Sequence, residues 1–261
     1  MPNLESASFV HYLPIATTVV SAIFFVVLLT RYRERGGTHL LWWSAGVFFY
    51  GLGTALESSI TLFGNSVFLN KAWYIAGALL GGYPLAQGSL FLHAKRKTAL
   101  ILTALSLPVV IGGSILVAAS PVLLENLELH RPSGAILGWQ WVRLLTPFVN
   151  IYAVIFLIGG AIASAIHFAR RRGVGDGARA LGNANIAFGA LLPGIGGSMA
   201  KAGVVEALYI GELIGLLFIV VGFYQVVGAA GTRAPEAGVP ETGAGTAQAA
   251  GRRIQAPAQL S

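Results

Sequence analysis

The chain has 261 residues and a mass of 27.3 kDa. It is 55% hydrophobic and only 10% charged, with a mean hydropathy of +0.72, whereas an ordinary soluble domain is about 25% charged. Its 17 Lys and Arg against 10 Asp and Glu leave a net charge of +7, which excludes neither a basic surface nor a basic set of loops. A nucleic-acid binder would spread such residues over a polar surface, and this chain has too few charges to make one, so no nucleic-acid partner is expected. A membrane protein with its basic residues on one side fits both facts.

A membrane-spanning helix needs about 20 mostly apolar residues. Seven stretches qualify in chain order. The first, Phe9 to Leu29, ends in a basic cluster, Arg31, Arg33 and Arg35. The second runs from Leu40 to Phe63, and the third from Ala72 to Leu92, ending in Lys95, Arg96 and Lys97. The fourth runs from Ala99 to Ala119. The fifth, Trp141 to Phe168, ends in Arg170, Arg171 and Arg172. Ala180 to Ala200 and Ala207 to Val227 complete the set. No basic region precedes the first span, so it reads as a retained helix rather than a cleaved signal.

Charge fixes the expected direction. Alternate crossings from an outside N-terminus put 13 of the 17 basic residues and 4 of the 10 acids inside, +9 inside against −2 outside. The positive-inside rule therefore predicts N-out and C-in, in the inner (plasma) membrane. Trp73, Trp139 and Trp141 fall at outer helix ends, and Trp42 and Trp43 at an inner one, as an aromatic belt would. In the outer loop, residues 124 to 129 read as a short amphipathic surface helix or a lid. The sequence thus divides into an all-α bundle over 1–228 and a Gly, Ala and Pro-rich tail over 229–261, expected to be a disordered cytoplasmic segment without an output domain. Residues 72–77 resemble 207–212, and the basic clusters after spans one and five are similarly offset, which suggests a 3+1+3 parallel pseudo-repeat.

Cysteine is absent, which removes disulfides and thiol chemistry. The five histidines lack ligand spacing, so neither a metal nor a cofactor is implied. Ionisable groups within spans are unusual and mark candidate sites. Glu57 and Glu212 each lie roughly 8 Å below the outer surface at 1.5 Å per residue. Arg143 and Lys71 begin spans on that side, His11 is near the first span's outer end, and Asn150 lies below Arg143. Two readings stand open: an outward-facing polar pocket closed by carboxylate–cation pairs, or acids that snorkel or pair for packing only. Deeper, Gly81, Gly82 and Pro84 interrupt span three. Around them Tyr83, Gln87, Tyr152 and Asn150 would line a cavity, unless these breaks serve packing alone. Gly77 with Gly81 and Gly211 with Gly215 have the spacing of close helix contacts.

Seven spans with an outside N-terminus resemble microbial rhodopsins, but no Lys follows Lys201 to carry a retinal. The 3+1+3 pattern is similar to SWEET-like sugar transporters, but Pro84 is followed by Leu85 rather than their Gln. The Arg residues closing span one, the aromatic, Gly-rich span two, and the Lys71, Trp73, Tyr74 and Pro84 pattern of span three resemble the seven-helix sensor module that precedes bacterial histidine kinases. The whole chain is similar to the many uncharacterised prokaryotic seven-helix proteins built from such a unit alone. The outer polar cluster and the short tail point to a receptor-like or accessory module. It would bind a small or lipid-like ligand from the outer side, touch membrane lipids and signal through a membrane or cytoplasmic partner. The alternative is a small-solute or proton-coupled transporter. Clustered Asp, His or Ser with nucleophile geometry is not legible in the sequence, so no enzyme is expected.

Overall fold

The computed structural model describes residues 9–171 and 173–231, with the side chains of Phe9, His11, Lys201 and Gly231 also outside the described set. The described residues are helical apart from short connections, and one isolated bridge, Val122 with Leu137, is the nearest approach to a strand. After a 3-10 turn at Phe9–Tyr12, seven helical rods follow: α1 (Leu13–Arg35), α2 (Thr38–Phe63), α3 (Val67–His93), α4 (Arg96–Ala119), α5 (Gln140–Ala169), α6 (Asp176–Lys201) and α7 (Glu206–Gly231). Five of them, α1, α3, α4, α5 and α7, are long and apolar enough to cross a membrane. α2 and α6 fall short of that apolarity. α2 buries Ser44, Thr54, Glu57 and Ser58 against its neighbours, so it does not need a uniformly apolar surface.

Helix boundaries follow local chemistry. α1 runs on through its basic cluster to Arg35, where Gly36 adopts φ +68° and its N–H returns to the Tyr32 carbonyl. α2 ends at Gly64, φ +89°, in the same manner. α3 begins earlier than the apolar run suggests, because the Ser66 hydroxyl accepts from the Leu69 N–H at 3.2 Å. Its course is interrupted: Tyr74–Leu79 is a π turn, a break follows, and the helix resumes at Tyr83 with Pro84 in its first turn. There the missing N–H of proline leaves no helical bond unmade. α5 has a second π turn at Val154–Ile158. The seventh helix reaches Gly231, beyond the expected boundary at 228, and the rest of the predicted tail, 232–261, lies outside the described residues.

The outer loop forms no amphipathic helix over 124–129. Only a 3-10 turn at Leu124–Asn126 appears. The loop is fixed in place: the buried Asn70 donates to the Ser133 carbonyl at 2.7 Å and accepts from the Ser133 N–H at 2.9 Å. Asn65 donates to the Glu128 carbonyl at 2.9 Å, and Ile136 and Leu137 are fully buried.

Six helices pack in a closed circuit, α1 on α2, α2 on α3, α3 on α5, α5 on α6, α6 on α7, and α7 back on α1. α6 and α7 share a glycine seam: side chains at Gly182, Gly189 or Gly196 would run into the backbone of Gly222, Gly215 or Ala207. Gly211 and Gly215 belong to that seam, so their spacing serves packing. Asn185 donates to Gln225 across the same interface at 2.8 Å, while Asn183 bonds only to Arg179 in its own helix. α4 stands outside the circuit against α3 and the start of α5. Between α2, α3 and α4 an apolar cleft of about 360 Å³ opens, lined by Trp42, Phe49, Tyr83, Leu107 and Ile111 among others. Trp42 and Trp43 lie deeper in the packing than a belt position implies. Trp42 stacks on Phe91 and edges Tyr83, and the buried Trp43 indole N–H presses on Gly88 without a hydrogen-bond partner among the described residues.

Candidate functional site: a carboxyl pair and two polar clusters

Glu57 is 2% exposed, on the face of α2 that meets α7. Its carboxyl is in hydrogen-bond contact with that of Glu212. Glu212 is half-buried as a residue, but its Oε2 is fully buried and receives no donor among the described residues. The Tyr50 hydroxyl donates to the Glu212 backbone carbonyl at 2.9 Å, and Tyr209, 1% exposed, stands one turn before Glu212. One turn before Glu57, the Thr54 hydroxyl meets that of Thr18 at 3.0 Å across the α1 interface. Local sequence explains the arrangement. The glycine seam directs Gly211 and Gly215 toward α6, which leaves the neighbouring Glu212 for α2.

The cations expected to neutralise this pair are elsewhere. Lys71 Nζ donates to the Ala118 and Ser120 carbonyls at 2.9 and 2.6 Å, closing the C-terminal end of α4. That is the stabilising place for a cation on a helix. Arg143 is exposed and donates to Gln140 Oε1 at 2.8 Å. Among the described residues neither pairs with a carboxylate; the ion pairs are Arg131 with Glu128 and Arg179 with Asp176, each at 3.9 Å. His11 lies in the turn that packs on α7, and its side chain is outside the described residues. Asn150 is exposed on α5 and does not join the deeper cluster.

Tyr83, Gln87 and Tyr152 do come together. Gln87, fully buried, places Nε2 2.8 Å from the Tyr83 hydroxyl, 3.0 Å from that of Tyr152 and 3.0 Å from Ser106 Oγ. Its Oε1 accepts from Thr103 at 3.0 Å. Thr103 and Ser106 of α4 complete the network and were not singled out by sequence. Their spacing of three, one helical turn on an otherwise apolar helix, is the signal that could have found them. The cluster joins α3, α4 and α5, and its Tyr83 also borders the apolar cleft between α2, α3 and α4.

A third cluster, also unforeseen, lies at the end of the bundle that carries the basic clusters. His93 of α3 approaches the Ser89 carbonyl through Nδ1 at 2.7 Å and Ser164 Oγ of α5 through Nε2 at 2.6 Å. It borders a cavity of about 160 Å³ with Leu90, Ile155, Phe156 and Gly160.

Comparisons of the chain with protein-family models, with characterised proteins and with solved structures found no match.

Proposed function

We propose that the chain is a seven-helix protein of the inner (plasma) membrane, N-terminus out and C-terminus in, acting as a receptor-like or accessory module. Five apolar helices and the gathering of basic residues at one bundle end support the crossing and its direction. The observation that carries the functional reading is the Glu57–Glu212 contact: two acidic groups from different helices, sealed together, without a cation from the described protein residues. A pair of this kind stores negative charge that a ligand can neutralise. The fitting ligand is a small amphipathic molecule with a cationic head, entering from the outer side. Its binding would change how α2 and α7 are held together, and a membrane or cytoplasmic partner would read that change.

The test is thermal stability of the full-length protein in detergent with a panel of long-chain amines. Stabilisation that disappears in both Glu57→Gln and Glu212→Gln supports the site. Equal stabilisation in wild type and both variants removes it. A small-solute or proton-coupled transporter is the second reading, favoured by the π turns in α3 and α5, since π turns are frequent at functional sites. Solute uptake into vesicles at two pH values, lost in the same variants, would establish it over the first.

A further inference from the structure

We infer that Ser164 is an activated nucleophile, with His93 as its general base, in a small acyl-ester site at the basic end of the bundle. The inference rests on the His93–Ser164 geometry and not on the acid pair. A carbonyl oxygen can only accept, so the 2.7 Å contact of Nδ1 with the Ser89 carbonyl places the imidazole proton on Nδ1. Nε2 then carries the lone pair, and it faces Ser164 Oγ at 2.6 Å. Nucleophile, base and an orienting acceptor for the base are thus in line, the arrangement that serine acylation requires. Two features of α5 hold it. Gly160 lies against the imidazole, where a Cβ would come within 3.3 Å of His93 Nδ1 and Cε1. The π turn at Val154–Ile158 adds a residue to the helix before Ser164. One added residue rotates everything after it by about 100°, so without the π turn Ser164 would point away from α3.

The surroundings select the substrate class. Leu90, Ile155 and Phe156 give the adjoining cavity an apolar wall suited to an acyl chain. Lys95, Arg96 and Arg170 follow the ends of α3 and α5 and favour an anionic head. The substrate is therefore an acyl ester with an anionic head group. Ser164 Oγ bonds to the ester carbonyl carbon while its proton moves to Nε2. The carbonyl electron pair then returns, the alcohol leaves with that proton, and Ser164 is acylated. Water attacks next, again giving its proton to Nε2, and the carboxylic acid departs as Ser164 Oγ recovers the proton.

The experiment uses the full chain in detergent micelles with a long-chain alkyl fluorophosphonate, a serine-reactive probe, followed by peptide mass spectrometry. Labelling at Ser164 is expected, absent in Ser164→Ala and slowed about a hundredfold in His93→Gln. Ser198→Ala, at the opposite end of α6 from the turn that joins it to α5, should label like wild type. Melting temperatures are measured in parallel, because a purely structural hydrogen bond would lower stability in these variants without any labelling of the wild type. Wild-type protein that is folded and unlabelled, or labelling equal in Ser164→Ala, overturns the inference. So does labelling that His93→Gln leaves unchanged.

Discussion

Glu57 of α2 and Glu212 of α7 place their carboxyl groups in contact, with Tyr50 fixing the Glu212 backbone beside them. Glu57→Gln keeps the size of the side chain and supplies an amide donor to Glu212, so its melting temperature should stay within about 2–4 °C of wild type, the shift that about 1 kcal/mol produces. Glu57→Leu leaves the buried Glu212 oxygen facing an apolar side chain and should cost about 1–3 kcal/mol. Equal melting temperatures for Glu57→Leu and wild type would show that the contact does not hold α2 to α7.

Lys71 provides a test of where the cations act. Because it closes α4 rather than meeting an acid, Lys71→Met should lower stability by about 1 kcal/mol and leave the response to amphipathic amines intact. An amine response lost in Lys71→Met, as in Glu57→Gln, would mean that cation and acids form one pocket.

Gln87→Leu removes the centre of the network that joins α3, α4 and α5. Hydrogen bonds within a membrane bundle contribute about 0.6 kcal/mol on average and up to about 1.7. Loss of several at once should destabilise by about 1–3 kcal/mol. Because α4 has few other contacts, limited proteolysis should cut its connections first. Cleavage no faster than wild type would place the retention of α4 elsewhere.

The glycine seam separates two substitutions that sequence alone treats alike. Gly215→Leu would drive a side chain into Gly189 and Pro193, and overpacking of this kind costs about 1–3 kcal/mol or more. Gly194 has open space at its Cβ position, so Gly194→Ala should be neutral or raise stability by up to about 1 kcal/mol. Melting temperatures that move together in the two variants would contradict the seam.

Direction across the membrane has its own measurement. A reporter fused after Val227 should read as cytoplasmic. An extracytoplasmic signal would overturn the N-out, C-in arrangement.

Hydropathy was informative about depth and poor about facing. Apolar runs locate the seven rods, although only five are apolar enough to cross a membrane, and Gly36 and Gly64 mark two of their ends. The start of α3 was hidden because Asn70 and Lys71 look like loop residues, although Ser66 caps a helix that contains them. Glu57, Glu212, Lys71 and Arg143 were legible as a group at one level. Which of them meet depends on rotation about each helix axis. Helices that are apolar nearly all round carry little periodic signal to set that rotation. The glycines of α7 did carry it, and they place Glu212 opposite α2. The π turns were invisible, since one extra residue leaves composition unchanged. The His93–Ser164 contact depends on such a turn, and so was hidden with it.

The closure of α7 on α1 and α2 sets a timetable for synthesis. Glu57 is made with the second helix, but its partner lies on the seventh. At about 5–20 residues per second, roughly 10 to 30 seconds pass before Glu212 is made. Throughout that interval the Glu57 carboxyl lacks the surface that buries it. The nascent chain is therefore most vulnerable to misassembly and quality-control proteolysis just before its seventh helix arrives.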